Sequence, residues 1–409
     1  MTDALKEKNI ILGVSGGIAA YKSVELLRLL TKKGALVRVV MTRNAGHFVG
    51  WMTFQALSGY PVCTGLFEKG DEGSFKHIDW ATAADAVVIA PATANTIGKL
   101  AHGIADDALS TILTVVTAPV LLCPSMNTNM YQNKAVQRNL DILRNDGMGI
   151  LAPGSGELAC GTVGPGRLPE PEVILDRLVS CLTTKDLARS RVLVTAGATQ
   201  EPLDPVRFIS NPSSGRMGYA VARAAEHRGA EVTLVSGPTH LAPPVNVDMV
   251  KIGTAEEMAG VVLENADRYD IIIKTAAVSD YRPQAAAGHK IKKNHETLTL
   301  QLDKTVDILK ELGRRKTNQI LVGFAAETRD LDKYAAQKLA EKNLDIIAGN
   351  LIGNPDSGFQ CDTNKVTLYY RDGSHEDLAV MAKETIAHIL LDRVVDRMRT
   401  HGKNQRNHE

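Results

Sequence analysis

Aromatic residues are scarce in this 409-residue chain, at 4%. That scarcity weighs against the stacking platforms that hold single-stranded nucleic acid. Neither sign of charge is in surplus. The formal net charge is +1, so bulk electrostatics draws the chain toward neither nucleic acid nor a membrane surface. The five cysteines, Cys63, Cys123, Cys160, Cys181 and Cys361, are widely spaced and include no CxxC pair. This excludes a disulfide framework and a structural zinc site and fits reduced thiols in a cytoplasm. No apolar run reaches transmembrane length, and the polar opening MTDALKEKN is unlike a signal peptide. Hydrophobic residues still make up 44%, enough for sizeable cores, and the length predicts two or three domains.

The two halves open alike. In NIILGVSGGIAAYKSVELLRLLTKKGALVRVVMT, Ile10–Gly13 reads as a short strand and Gly13, Gly16 and Gly17 as a tight turn. Ala19–Lys32 has helical periodicity, Gly34 closes that helix, and Leu36–Met41 is the next strand. In the second half Arg191–Ala196 reads as a strand, followed by a long polar loop, a helix from about Arg216, Gly229 and the strand Glu231–Val235. KKGALVRVV and HRGAEVTLV occupy equivalent places. The chain therefore reads as α/β, with two tandem doubly wound, Rossmann-like domains. Further strands are expected at Ala86–Ala90, Val120–Cys123, Ile271–Lys274, Ile320–Phe324 and Asp345–Ala348. The expected domains are 1–186 and 187–400, joined near 183–190, with a disordered polar tail at 401–409.

Glycines between a strand and a helix turn backbone N–H groups toward the positive helix end, which binds phosphate. A bare β-α turn without ligand looks the same. What both loops lack narrows the choice. Neither spells GxGxxG, and neither second strand ends in the Asp or Glu that holds an adenosine ribose: they end VVMTRN and TLVSGP. A pair of NAD(P)-dependent oxidoreductase domains is therefore disfavoured, and a mononucleotide is favoured. The stretch GSGELACGTVGPGRLPEP is too rich in glycine and proline for a helix or central strand and reads as a long mobile loop that carries Cys160. The cysteine is either incidental or borne on a flap.

The motifs GVSGGIAAYK, APATANTIGKLAHGIADDAL, PSMNTNMY and GELACG occur in the same order as in the flavin-dependent cysteine decarboxylases. AGATQEPLDPVRFISNPSSGRMG, AAVSDYRP, KIKK, GFAAET and QKLAEKNLD resemble the phosphopantothenate–cysteine ligases. Apart from its ends, the whole chain resembles the bacterial fusion of those two enzymes in coenzyme A synthesis. The resemblance implies a flavodoxin-like FMN domain followed by a nucleotide-binding ligase domain. The ligase would couple phosphopantothenate to cysteine through an acyl-cytidylate made from CTP with Mg²⁺, whose protein ligands are not identified. The decarboxylase would convert the product to phosphopantetheine. The family further implies a cytoplasmic homo-oligomer, decarboxylase trimers linked by ligase dimers, with no nucleic acid or membrane partner. A non-catalytic FMN-binding regulator or a flavin prenyltransferase would share the N-terminal fold, but neither accounts for both the Cys160 motif and residues 190–400.

Site residues follow from the same resemblance. Gly13, Ser15, Gly16, Gly17 and Ile18 surround the FMN phosphate, with Thr42, Thr93 and Asn95 at the ligand edge. By position alone His77 reads as a surface or capping residue; the resemblance reverses that reading, because His77 matches the family's active-site histidine. Asn127 grips the substrate carboxylate, Met130 lines the same site or merely fills a core, and Cys160 becomes the proton donor on a substrate-covering flap. In the ligase half Asn211 holds the acyl-cytidylate, beside Arg207. Asp280, Lys290, Asp307, Ile308, Leu309, Phe324, Lys338 and Lys342 match nucleotide-site positions. Without the match, the basic clusters read as solvated faces. Lys274 departs from the pattern: a small or apolar residue is expected there, and the extra cation either faces the triphosphate or snorkels to solvent.

Overall fold

A computed structural model describes residues 4–66, 76–159, 161–292, 297–327, 329–351 and 361–406. The chain divides into two compact units, Thr2–Thr183 and Thr184–Glu409.

In the first unit, strands β1 (Asn9–Val14), β2 (Leu36–Met41), β3 (Ala86–Ala92), β4 (Val120–Pro124) and β5 (Gly149–Ile150) form a parallel sheet of order β2-β1-β3-β4-β5. Helices cover both faces, so its inner strands are apolar on both sides. Ile10, Leu12, Val14, Val88 and Ala90 pack on one face, against helices α1 (Ala20–Lys32), α2 (Trp51–Ser58) and, from the end of the unit, Pro171–Leu182. Ile11, Val87 and Ile89 pack on the other, against α3 (Lys76–Ala83), α4 (Ala94–Ala101), α5 (Ala108–Val115) and, after α6 (Thr128–Gln132), α7 (Lys134–Asn145). The Pro171–Leu182 helix is α8. Strand order reverses between β1 and β3. That switch point opens a crevice at the carboxyl ends of the strands.

The glycine-rich stretch is not a structureless loop. Strands β6 (Gly154–Glu157) and β7 (Val163–Arg167) pair as an antiparallel hairpin. A two-stranded ribbon has only edges, so Pro165 deprives no neighbouring strand of a ladder bond. Gly156 and Gly166, at φ 156° and 151°, supply backbone that other residues avoid.

In the second unit, β8 (Arg191–Ala196) is followed by a small hairpin, β9 (Gln200–Pro202) and β10 (Phe208–Ser210), then α9 (Arg216–His227), β11 (Glu231–Ser236), β12 (Asp248–Lys251), α10 (Ala255–Asn265) and β13 (Ile271–Lys274). Next come the ribbon of β14 (Tyr281–Pro283) and β15 (Leu302–Lys304), α11 (Ile308–Arg315), β16 (Ile320–Glu327), α12 (Leu331–Glu341) and β17 (Ile346–Leu351). The chain ends with β18 (Thr363–Asn364), β19 (Thr367–Tyr370), β20 (His375–Asp377), β21 (Met381–Ala382) and α13 (Lys383–Arg406). The main sheet runs β12-β11-β8-β13-β16-β17-β19-β20, and only its last two strands are antiparallel additions. One face packs against α9 and α13, the other against α10, α11 and α12. The switch point lies between β8 and β13.

Helix α13 runs through the expected tail to Arg406. Lys, Gln and Arg in that segment are good helix formers, and one internal glycine, Gly402, costs only about 1 kcal/mol, too little to stop a helix already propagating.

Candidate active sites

In the first unit the crevice is built by loops that brace one another. Ser15 is buried. Its hydroxyl donates to the Pro91 carbonyl at 2.7 Å and accepts from the Thr93 amide at 2.9 Å, tying the β1 loop to the β3 loop. A Cβ on Gly16 would lie 2.4 Å from that of Asn44, so this glycine lets the β1 and β2 loops touch. Gly13 admits Leu109 of α5 in the same way, at 2.7 Å, behind the crevice. Gly17 has room, with Thr93 as its nearest neighbour at 3.6 Å, and Ile18 is exposed. Thr42 caps the short 3₁₀ turn Arg43–His47, and Thr93 caps α4, with exposed Asn95 in its first turn. Helix α1 has no such cap: Ala19 precedes it and its first turn holds no acid. Its N-terminal amides and partial positive charge thus face the crevice without a side-chain acceptor.

The β4 loop reaches the same edge through Ser125, whose amide donates to Ala92. Asn127 caps α6, accepting from the Asn129 amide at 2.8 Å, and its Nδ2 donates to the Thr162 hydroxyl at 3.5 Å. Met130 is exposed on α6. The hairpin sits on this loop. The Gly166 carbonyl accepts from the Met126 amide at 3.1 Å and the Ser125 hydroxyl at 3.2 Å. Cβ atoms on Gly166 and Gly164 would lie 2.1 Å from the Met126 carbonyl oxygen and 2.8 Å from the Thr128 side chain. His77 is the second residue of α3. Cys160 falls between β6 and β7 in sequence and lies outside the described residues.

The second unit has a cleft of about 420 Å³ at its switch point. Asn211, Asp280, Asp307, Ile308, Leu309, Phe324, Lys338 and Lys342 all line it. Gly215, at φ 77°, enters α9 without a side-chain cap, and no acid occupies the first turn of that helix. Asn211 Nδ2 donates to the Ala277 carbonyl at 3.2 Å, across the two loops of the switch point. Lys342 pairs with Asp307 at 2.7 Å and Lys338 with Glu327 at 2.6 Å. Burial raises the Asp307 pKa, but the bond from Lys342, the Lys310 amide and the charge of Lys274 outweigh it and hold the carboxyl below its usual range.

Lys290 and Arg207 do not line the cleft. Lys290 is exposed. Arg207 grips Asp204 through Nε at 3.0 Å and an Nη at 2.6 Å, and also donates to the Ile291 carbonyl at 3.0 Å. Arg207 foremost, then amides that include Ile291, keeps the Asp204 carboxyl well below the usual carboxylate range. Of the basic stretch 289–295, residues 293–295 lie outside the described residues.

Among the lining residues that sequence reasoning missed are Asn350, Lys383 and Asn364, and it left Lys274 open. Lys274 faces into the cleft rather than out to solvent. Asn350, at the carboxyl end of β17, presents a buried Oδ1 with no partner among the described residues. A rule that searches strand ends would have found it. Lys383 and Asn364 come from the far end of the chain, and no local signal marks them.

Comparison with known proteins follows the same division. The flavoprotein family matches residues 1–183, and the DNA/pantothenate metabolism flavoprotein C-terminal domain matches 187–398. The coenzyme A biosynthesis bifunctional protein CoaBC of Bacillus subtilis is 47% identical over 95% of this chain and 97% of its own. That of Escherichia coli K12 is 45% identical over 96% and 98%. The chain belongs to the CoaBC family. It is a bifunctional enzyme of coenzyme A biosynthesis, with an N-terminal flavoprotein decarboxylase half and a C-terminal ligase half. Among solved structures, the C-terminal domain of a CoaBC is 41% identical, covering 53% of this chain and all of its own, with a TM-score of 0.46. A PPC decarboxylase mutant complexed with pantothenoylaminoethenethiol is 31% identical over 42% and 97%, with a TM-score of 0.38. No helix among the described residues is long and apolar enough to cross a membrane.

Proposed function

We propose that the C-terminal half joins phosphopantothenate to cysteine at the expense of CTP, with Mg²⁺ as cofactor, and that the N-terminal half decarboxylates the product to phosphopantetheine with FMN. One observation carries the reading: in each unit the first crossover helix, α1 or α9, enters the switch point uncapped and free of acid in its first turn. That is the electrostatics of a phosphate site.

The first crevice fits FMN by its donor chemistry. Backbone amides at 16–18 and the hydroxyls of Thr42 and Thr93 would hold phosphate and ribityl groups, and Ile18 gives an apolar rim. Bound flavin supplies the electron sink that loss of carbon dioxide from a cysteine amide requires. The Asn127 amide would bind the carboxylate that leaves. By the family resemblance His77, the second residue of α3, would act as the base. Cys160, which falls between β6 and β7 in sequence, would donate the proton when the enethiolate intermediate is reduced to phosphopantetheine, the electrons taken up in decarboxylation being returned in that step.

In the second unit the substrate carboxylate would attack the α-phosphate of CTP, forming an acyl-cytidylate and releasing pyrophosphate. The cysteine amine would then displace CMP and lose a proton. Lys338 and Lys342 offset the charge that develops, and Asn211 would orient the acyl group. We further propose a cytoplasmic homo-oligomer of decarboxylase trimers linked by ligase dimers.

The test is a mass-spectrometric assay of purified protein given phosphopantothenate, cysteine, Mg²⁺ and CTP, with a control lacking CTP. The expected product is CTP-dependent phosphopantetheine. No product from folded yellow protein would overturn the reading and favour an FMN-binding regulator.

A further inference from the structure

Most cations lining the ligase cleft already have a partner in the protein. Lys342 is paired with Asp307, Lys338 with Glu327 and Arg216 with Asp362, while Lys383 donates to the Cys361 carbonyl. Lys274 differs. It ends β13 in the floor of the cleft and makes no ion pair among the described residues. Its one hydrogen bond there, to the Ala276 carbonyl, is long at 3.4 Å. An ammonium group held in protein without a counter-anion is costly unless a ligand brings one.

We propose that Lys274 contacts the phosphate chain of the nucleotide, as the cation left open for that anion. The assignment rests on the nucleotide reading of the cleft and adds a residue to it. The two residues that follow it are both tied to Thr195 of β8: Thr275 donates its hydroxyl to the Thr195 carbonyl, and the Ala276 amide donates to the Thr195 hydroxyl. The strand end is therefore fixed, and the lysine projects from a rigid support.

A consequence follows for pH. Burial, then the like charges of Lys342 and Lys338, lower the Lys274 pKa to about 8, while Asp307 and Asp280 oppose the shift. Two further cations, Arg216 and Lys383, line the same cleft, each with a partner of its own. An arriving phosphate favours the charged form and raises the pKa. Below about pH 8 the free lysine is already charged, so binding takes up little proton. Above it, binding must protonate the lysine, and affinity falls roughly tenfold per unit until the bound form also titrates.

The experiment compares the native protein with Lys274→Met and Lys274→Arg. CTP binding with Mg²⁺ is followed by calorimetry in two buffers of different ionisation enthalpy, and the ligase KM for CTP is measured across pH. The native protein is expected to take up protons on binding above pH 8, with KM rising there. Lys274→Met should raise KM about tenfold or more at neutral pH and take up none. Lys274→Arg should keep tight binding and lose the alkaline rise, since a guanidinium stays charged. Decarboxylation of supplied phosphopantothenoylcysteine should be unchanged in all three, and tight binding retained by Lys274→Arg would show that the ligase unit folds with position 274 substituted. An unchanged KM and pH profile in Lys274→Met would overturn the assignment while leaving the nucleotide reading intact. Failure of the native protein to bind CTP would overturn both.

Discussion

An amide and a carboxylate differ by a hydrogen-bond donor and a charge, and at position 211 both matter. Asn211 bridges the two loops of the switch point by donating to the Ala277 carbonyl at 3.2 Å. Asn211→Asp removes the donor, sets an anion against that carbonyl and adds negative charge to a cleft that recruits phosphate. Ligation is expected to fall at least about a hundredfold, the scale of losing an oriented donor at a reacting group. Decarboxylation of supplied phosphopantothenoylcysteine should stay intact. Equal loss of both activities would instead mean that the substitution disturbs folding. The residue scale is also where the sequence was least legible. Asn211, Asp280, Phe324 and Lys338 were found by motif and line one cleft. Lys383 lies far along the chain from them, and only the course of α13 brings it there.

At the scale of elements, the β6–β7 hairpin depends on glycine for a steric reason. Gly166 adopts φ 151° with its carbonyl bonded to the Met126 amide, and a Cβ there would overlap the Met126 carbonyl oxygen at 2.1 Å. Gly166→Ala must push the hairpin off the loop that carries Asn127, at about 1–3 kcal/mol of backbone strain besides the clash. The expected result is a decarboxylation rate lowered at least about tenfold with CTP-dependent ligation unchanged, read in separate assays. A full decarboxylation rate would show that hairpin docking is dispensable. The hairpin also marks the limit of pattern reading. Strands β2, β8 and β13 could be read to the residue, because a parallel strand covered on both faces is a continuous apolar run bounded by turns. Sequence patterning gives no such signal for GSGE and VGPGR. Their pairing arises from glycine backbone geometry and from contact with Met126 and Thr128, both tertiary effects.

At the scale of the molecule, each unit has its own cores, so acid should act on them unequally. The second unit contains the buried cluster between α9 and α13. Arg228 there bonds Asp186 through two nitrogens, Asp392 at 2.8 Å and the His388 carbonyl at 3.1 Å. Burial, then His227 and Arg228, depress the His388 pKa to about 4, with Asp392 opposing. The sign follows from the reference value of 6.5. Above 6.5 His388 is neutral in both folded and unfolded chains, and its titration has no effect. As pH falls from 6.5 toward 4, the unfolded chain gains a proton that the folded one refuses, and stability is lost. At pH 5 the loss is about 2 kcal/mol, carried entirely by the ligase unit. Incubation at pH 5 under mild denaturant, followed by assay at pH 7.5, should therefore deplete ligation before decarboxylation. His388→Gln, which cannot take up the proton, should narrow that gap. Parallel loss of the two activities in the native protein would show that the units unfold together and that acid sensitivity belongs to the whole chain rather than to the α9–α13 cluster.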